Sequence, residues 1–138
     1  AWLVRQGFDV ELNTLVRGRI TKRAYEVDIH ATKEKRVMLI NKKRYDLWVE
    51  CKNLKTPVKR NHINSLIRKA QDLRKGYQEK FEDWCADILV VFSKSGFDID
   101  AIKIADEYSI YLVSVDKKYN FIGNMTRYNF DELDVSEY

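Results

Sequence analysis

Tyr45–Lys52, YDLWVECK, constrains the chain most, because its residues alternate in character. As a strand it places Tyr45, Leu47, Val49 and Cys51 on one apolar face and Asp46, Trp48, Glu50 and Lys52 on the other. Tyr25–Thr32, YEVDIHAT, alternates likewise, with Tyr25, Val27, Ile29 and Ala31 set against Glu26, Asp28, His30 and Thr32. Two such strands paired with their apolar faces together bring Asp28 toward Glu50 and Lys52. Two carboxylates and an ammonium on one sheet surface can hold Mg²⁺ through oxygen ligands, with the lysine free to position a water or neutralise a phosphate.

A chain of 138 residues is expected to form a single domain with its own core. Cys51 and Cys85 lie in apolar, strand-like runs and are expected to be structural hydrophobes, since a disulfide framework or zinc site needs more partners at closer spacing. No apolar run approaches the roughly 20 residues that span a bilayer, and no secretory signal is recognisable, so the expectation is an intracellular, cytoplasmic protein without a membrane partner. The net charge of +4 is unevenly spread: residues 1–60 hold 15 Lys and Arg against 7 Asp and Glu, and residues 61–138 hold 10 against 14. The basic half carries Asp28, Glu50 and Lys52, which favours a polyanionic partner such as nucleic acid. Solvation of an ordinary surface accounts for the same charges equally well.

In chain order, residues 1–6 read as a helix stopped by Gly7, and with no initiating Met that helix is expected to be incomplete at its start. Phe8–Thr14 reads as a strand and Arg17–Arg23 as a basic turn. Val37–Ile40 extends an antiparallel meander of three or four strands, with a turn at Asn41–Arg44. After the loop around Pro57, a helix from about Asn61 carries an apolar stripe of Ile63, Leu66, Ile67, Ala70 and Leu73. Gly76 could end it, or Tyr77, Phe81 and Trp84 could continue it. Cys85–Phe92 has the continuous apolarity of a strand buried on both faces. Asp98 caps a helix with Ala101, Ile102, Ala105 and Tyr108 inward, and Ser109–Val115 follows as a strand, completing a parallel crossover. The expected fold is α/β, a central mixed sheet (antiparallel meander plus parallel crossover) flanked by helices, with residues 1–115 as core and 116–138 as an acidic extension.

GFDVE at residues 7–11, VD at 27–28 and ECK at 50–52 resemble the PD-(D/E)XK nuclease superfamily. The similarity is greatest to Mrr-type restriction endonucleases, with archaeal Holliday-junction resolvases as second relatives. PV at 57–58, HINSL at 62–66 and ADILVVFSKSGFDIDAIKIADEYSIYLV at 86–113 extend it. The resemblance implies a restriction-endonuclease-like core and a Mg²⁺-dependent endonuclease acting on DNA, with Mn²⁺ able to substitute. Asp28, Glu50 and Lys52 would be catalytic; Asp28, Glu50 and the Cys51 backbone carbonyl would hold the metal. The family often adds a first-helix glutamate, which residues 1–6 lack, and a glutamine after the lysine, near which Asn64 stands here. Val27 replaces the proline that names the superfamily.

Backbone phosphates would be gripped by Arg17, Arg19, Lys22, Arg23, Lys55, Lys59 and Arg60. Glu11, Glu26, His30 and Asn64 are auxiliary candidates, although solvated strand residues explain the glutamates and a surface position explains His30. Trp48 reads as packing, and removing Asp28 or Glu50 is expected to spare the fold. A homodimer suits cleavage of both strands of a duplex or of a branched junction. The competing expectation is a nucleic-acid-binding module of the same fold that does not cut.

Overall fold

The computed structural model describes residues 2–18, 24–36 and 42–132. Its elements are α1 (Trp2–Arg5), β1 (Asp9–Arg17), β2 (Ala24–Arg36), β3 (Lys42–Lys52), α2 (Arg60–Gln78), β4 (Ile88–Ser93), α3 (Ile99–Glu107), β5 (Tyr111–Val115), β6 (Tyr119–Ile122) and α4 (Arg127–Glu132). The six strands form one sheet in sequence order. β1, β2 and β3 pair antiparallel, β4 and β5 join in parallel, and β6 returns antiparallel. This is a mixed α/β fold, with α2 and α3 packed on one sheet face and α1 and α4 on the other. No helix among the described residues is long and apolar enough to cross a membrane.

The stripe read from α2 is the one it buries: Ile63, Leu66, Ile67, Ala70 and Leu73 all pack into the sheet-facing core. Burial of side chains this size contributes about 1.5–3 kcal/mol each. The helix runs through a buried Gly76, while Tyr77 and Phe81 are exposed beyond it, so the apolar stripe ends before they are reached. α3 is capped as expected, Asp98 Oδ1 accepting from the Ala101 N–H at 2.8 Å. Its fully buried residues are Ala101, Ile104 and Ala105, with Ile102 and Tyr108 only partly covered.

Two expectations are corrected. Lys42–Arg44 is strand and not turn, paired with Glu34–Arg36 in an arm longer than the core requires. Asn41 and Val37–Ile40 lie outside the described residues. Residues 116–132 are no appendage: β6 extends the sheet, and Phe130, 1% exposed, is part of the core beneath Trp2 and Tyr111.

Alternation along β2 also changes hand. Ile29 and Ala31 pack with Leu47 and Val49, whereas Val27 packs on the opposite side of the sheet with Val16 and Trp48. The change falls at Asn13, whose φ of 52° is a left-handed conformation that asparagine's short polar side chain tolerates. Pairs on both sides of Asn13 keep one register, so β1 and β2 turn over together and their far ends lean toward α2. There Gly18 meets the helix so closely that a Cβ would sit 1.9 Å from Asp72 Oδ2. The same oxygen accepts from the Tyr25 hydroxyl at 2.8 Å.

Candidate functional site

The β2–β3 ladder runs from Arg36 opposite Lys42 to Ile29 opposite Val49. One residue farther, the Cys51 N–H donates at 2.8 Å to Asp28 Oδ2. A side-chain carboxylate therefore takes the place of a strand acceptor just where β2 changes hand, which ties Asp28 to the β3 backbone at the residue between Glu50 and Lys52, although Asp28 does not line the cleft those two share. Glu50 is held as well: Oε2 accepts from the Trp48 indole N–H at 3.2 Å and Oε1 lies 3.5 Å from Lys52 Nζ. Trp48 is fully buried, so its part is packing and anchoring. Because Glu50 satisfies that buried donor, its removal is not neutral to the fold, contrary to the expectation above.

Cys51 is exposed as a residue, but the pKa of its thiol is raised to about 11, first by desolvation among its neighbours and then by the charges of Asp28 and Glu50. Both carboxylates thus load one point with negative potential. Among the described residues no cluster of three or more His, Cys, Asp and Glu forms a metal cage. Two carboxylates with a neighbouring backbone carbonyl are hard oxygen donors that suit Mg²⁺, which is held by one or two carboxylates and keeps several waters.

Glu50 and Lys52 open onto a cleft of about 180 Å³ whose other wall is Asn61, His62, Ser65, Leu66 and Lys69 of α2. Asn61, Ser65 and Lys69 are spaced four apart and share one helix face. Asn64 is not among the lining residues; the spacing from Asn61 was the signal for the face that is. His62 Nδ1 accepts the Lys59 N–H at 3.0 Å, closing the start of α2 beside the cleft. Lys55, Lys59 and Arg60 are exposed at that end.

Other candidates lie apart. Arg17 is exposed at the far end of β1, its N–H donating to Glu82 beyond the opposite end of α2, a helix about 28 Å long at 1.5 Å per residue. Arg19, Lys22 and Arg23 lie outside the described residues. Glu11 and Glu26 are exposed strand residues opposite His30 and Leu15. His30 is buried at 6% exposure, bonded to Asp46 Oδ1 at 2.8 Å and stacked on Trp84 with ring centres 3.5 Å apart. It is a core histidine and not a surface residue, and its ring is engaged by Asp46 and Trp84. Asp46 is likewise buried. Desolvation opposes its charge, but hydrogen bonds from His30 and Arg44 outweigh that and hold its carboxyl below the usual value. Cys85, partly buried beside these groups, has its thiol raised by desolvation.

Neither a family model nor a curated protein matches this chain. A solved structure described as "Protein of Unknown Function AF1548" is similar to it, with a TM-score of 0.58 and 22% identity over 81% of this chain and 52% of that one. The chain thus spans about half the length of that protein, and at this identity the likeness speaks for a shared mixed α/β fold alone.

Proposed function

We propose that the protein is a metal-dependent endonuclease with a restriction-endonuclease-like core, hydrolysing DNA phosphodiester bonds at Asp28, Glu50 and Lys52. The observation that carries this reading is the pairing of Glu50 with Lys52 in a cleft whose other wall carries Lys69, with Asp28 bonded to the backbone N–H of the residue between them. Asp28, Glu50 and the Cys51 carbonyl would hold Mg²⁺ or Mn²⁺. That ion, when bound, would polarise the phosphoryl oxygen and lower the pKa of a bound water. Lys52 would neutralise charge building on the phosphoryl group, and its contact with Glu50 keeps the ammonium at that spot. Lys69, on the opposite wall, and Lys55, Lys59 and Arg60, around the start of α2, would hold the backbone.

A non-cleaving binding module is the second reading, favoured by the engagement of both Glu50 oxygens by Trp48 and Lys52. Incubating the protein with plasmid and with four-way junction DNA, in Mg²⁺, Mn²⁺ or EDTA, separates the readings. Metal-dependent nicking abolished by Asp28→Asn supports the endonuclease, and preference for the junction would make it a resolvase. Binding without cleavage under every metal condition refutes it.

A further inference from the structure

One residue lining the cleft of Glu50 and Lys52 has its hydrogen-bonding character set by the helix that carries it. Lys59 is the N-cap of α2, and His62 is the third residue of the helix. The first N–H groups of a helix have no partner inside it, and a side chain three residues on often reaches back to the N-cap N–H. Glu or Gln usually does this; here it is His62, whose Nδ1 accepts from the Lys59 N–H at 3.0 Å. A ring nitrogen accepts only through a free lone pair, so Nδ1 carries no proton. The proton of the neutral ring is therefore on Nε2, which is a donor.

That donor is available. Nε2 makes no hydrogen bond among the described residues, and it is not closed off from solvent as the Trp2 indole N–H is. With Nδ1 turned back to Lys59, the distal nitrogen is the polar atom that the ring brings to the cleft. The charged groups around it already have partners: Glu50 has Trp48 and Lys52, and the Lys69 ammonium lies 5.9 Å from the Tyr25 ring centre. Ammonium groups on flexible stems attract a phosphate without fixing its direction. An imidazole held by its other nitrogen supplies the direction.

We propose that His62 donates its Nε2–H to a non-bridging oxygen of the phosphate held at Lys52. The proposal rests on the reading of the cleft as a DNA phosphodiester site and adds a catalytic residue to it. No proton moves in this step. A neutral imidazole N–H is far too weak an acid to protonate the departing oxygen, and an imidazolium would lose the Lys59 contact. The donor instead orients the phosphoryl group and stabilises the charge that builds on its oxygen, as Lys52 does from the other wall.

The test joins nitrogen-15 NMR of the imidazoles to variants that separate the donor from the cap. In the whole chain in EDTA at pH of about 8, where ordinary imidazoles are neutral, the His62 signals are assigned by their loss in His62→Gln. They should show the proton on Nε2, and a short DNA duplex should shift Nε2 saturably. In single-turnover nicking with Mg²⁺, His62→Ala should lose about 10- to 100-fold, the equivalent of one hydrogen bond to a charged group. His62→Gln, whose amide caps through oxygen and donates through nitrogen, should recover most of that loss. His62→Glu caps without donating, so it should melt like the Gln variant yet cleave no better than the Ala variant. A proton on Nδ1, an Ala variant at wild-type rate, or a Glu variant as active as the Gln variant overturns the proposal. An unmoved Nε2 signal in a chain that still nicks plasmid overturns it and leaves the endonuclease standing. A shifted Nε2 in a chain that nicks under no metal condition keeps the phosphate contact and removes its catalytic role together with the endonuclease.

Discussion

Glu50 offers the sharpest separation of chemistry from structure. Its carboxylate satisfies the buried Trp48 indole at 3.2 Å and faces Lys52 at 3.5 Å. In Glu50→Ala the indole donor is left buried and unpaired, costing about 1–3 kcal/mol. In Glu50→Gln the amide oxygen still accepts from Trp48, and only the half-screened pair with Lys52 is lost, worth less than about 1 kcal/mol. At a few degrees per kcal/mol for a domain of this size, Glu50→Ala should melt about 4–10 °C below wild type and Glu50→Gln within about 3 °C of it. Both should lose metal-dependent cleavage, since neither keeps the carboxylate. The measurements are thermal unfolding followed by circular dichroism and single-turnover nicking in Mg²⁺. Unchanged melting of Glu50→Ala would mean that Glu50 does not anchor Trp48, and a Glu50→Gln protein that nicks at wild-type rate would remove Glu50 from the chemistry.

Lys52→Ala should lose cleavage in the same assay while gel shifts change little, because one ammonium among many adds little to backbone affinity; equal losses in both would make Lys52 a binding residue only. Replacing Lys55, Lys59 and Arg60 together by alanine should flatten the salt dependence of duplex binding by up to about 2.7 in log–log slope, and Arg17→Ala by less than about 1, measured by fluorescence anisotropy across salt. The reverse order would move the DNA path to the far end of α2. The depressed carboxyl of Asp46 contributes stability that is complete above the unfolded value of about 3.9 and fades as pH falls through its lower folded value. The gap in melting temperature between wild type and Asp46→Asn should therefore be constant near neutrality and close below pH of about 4; a gap independent of pH would contradict the assignment.

That Glu50 and Lys52 share one side of β3 was legible because alternation along a strand fixes side-chain direction before any tertiary contact is known. The same rule misplaced Val27, since one left-handed residue, Asn13, on a neighbouring strand turns the pattern over, and asparagine is a weak marker of that event. His30 was misread for a different reason. Its burial depends on Trp84, which lies 54 positions away in the sequence and stacks on it only once the turn after α2 folds back. The polarity of Lys42–Arg44 suggested a turn, yet a strand end at which Lys43 and Arg44 are exposed needs no apolar face. On α2, the apolar stripe named the buried side correctly but did not say which polar side would face Glu50. That depended on how the helix sits over β3, so Asn64 was chosen where Asn61 and Ser65 line the cleft.

Because each strand is bonded to its immediate successor, the sheet can be assembled by accretion at a moving edge, with no later strand inserted between earlier ones. As the chain emerges from synthesis, Asp28, Glu50, Lys52 and the helix opposite them are all present once residue 78 has appeared. β3 then still has a bare edge, and its parallel partner β4 begins ten residues after α2 ends, at Ile88. Parallel pairing across such a crossover is slow compared with hairpin closure. The nascent domain should therefore dwell as a meander bearing its chemical groups before the second half of the sheet shields that edge, an interval in which chaperone engagement would be most useful.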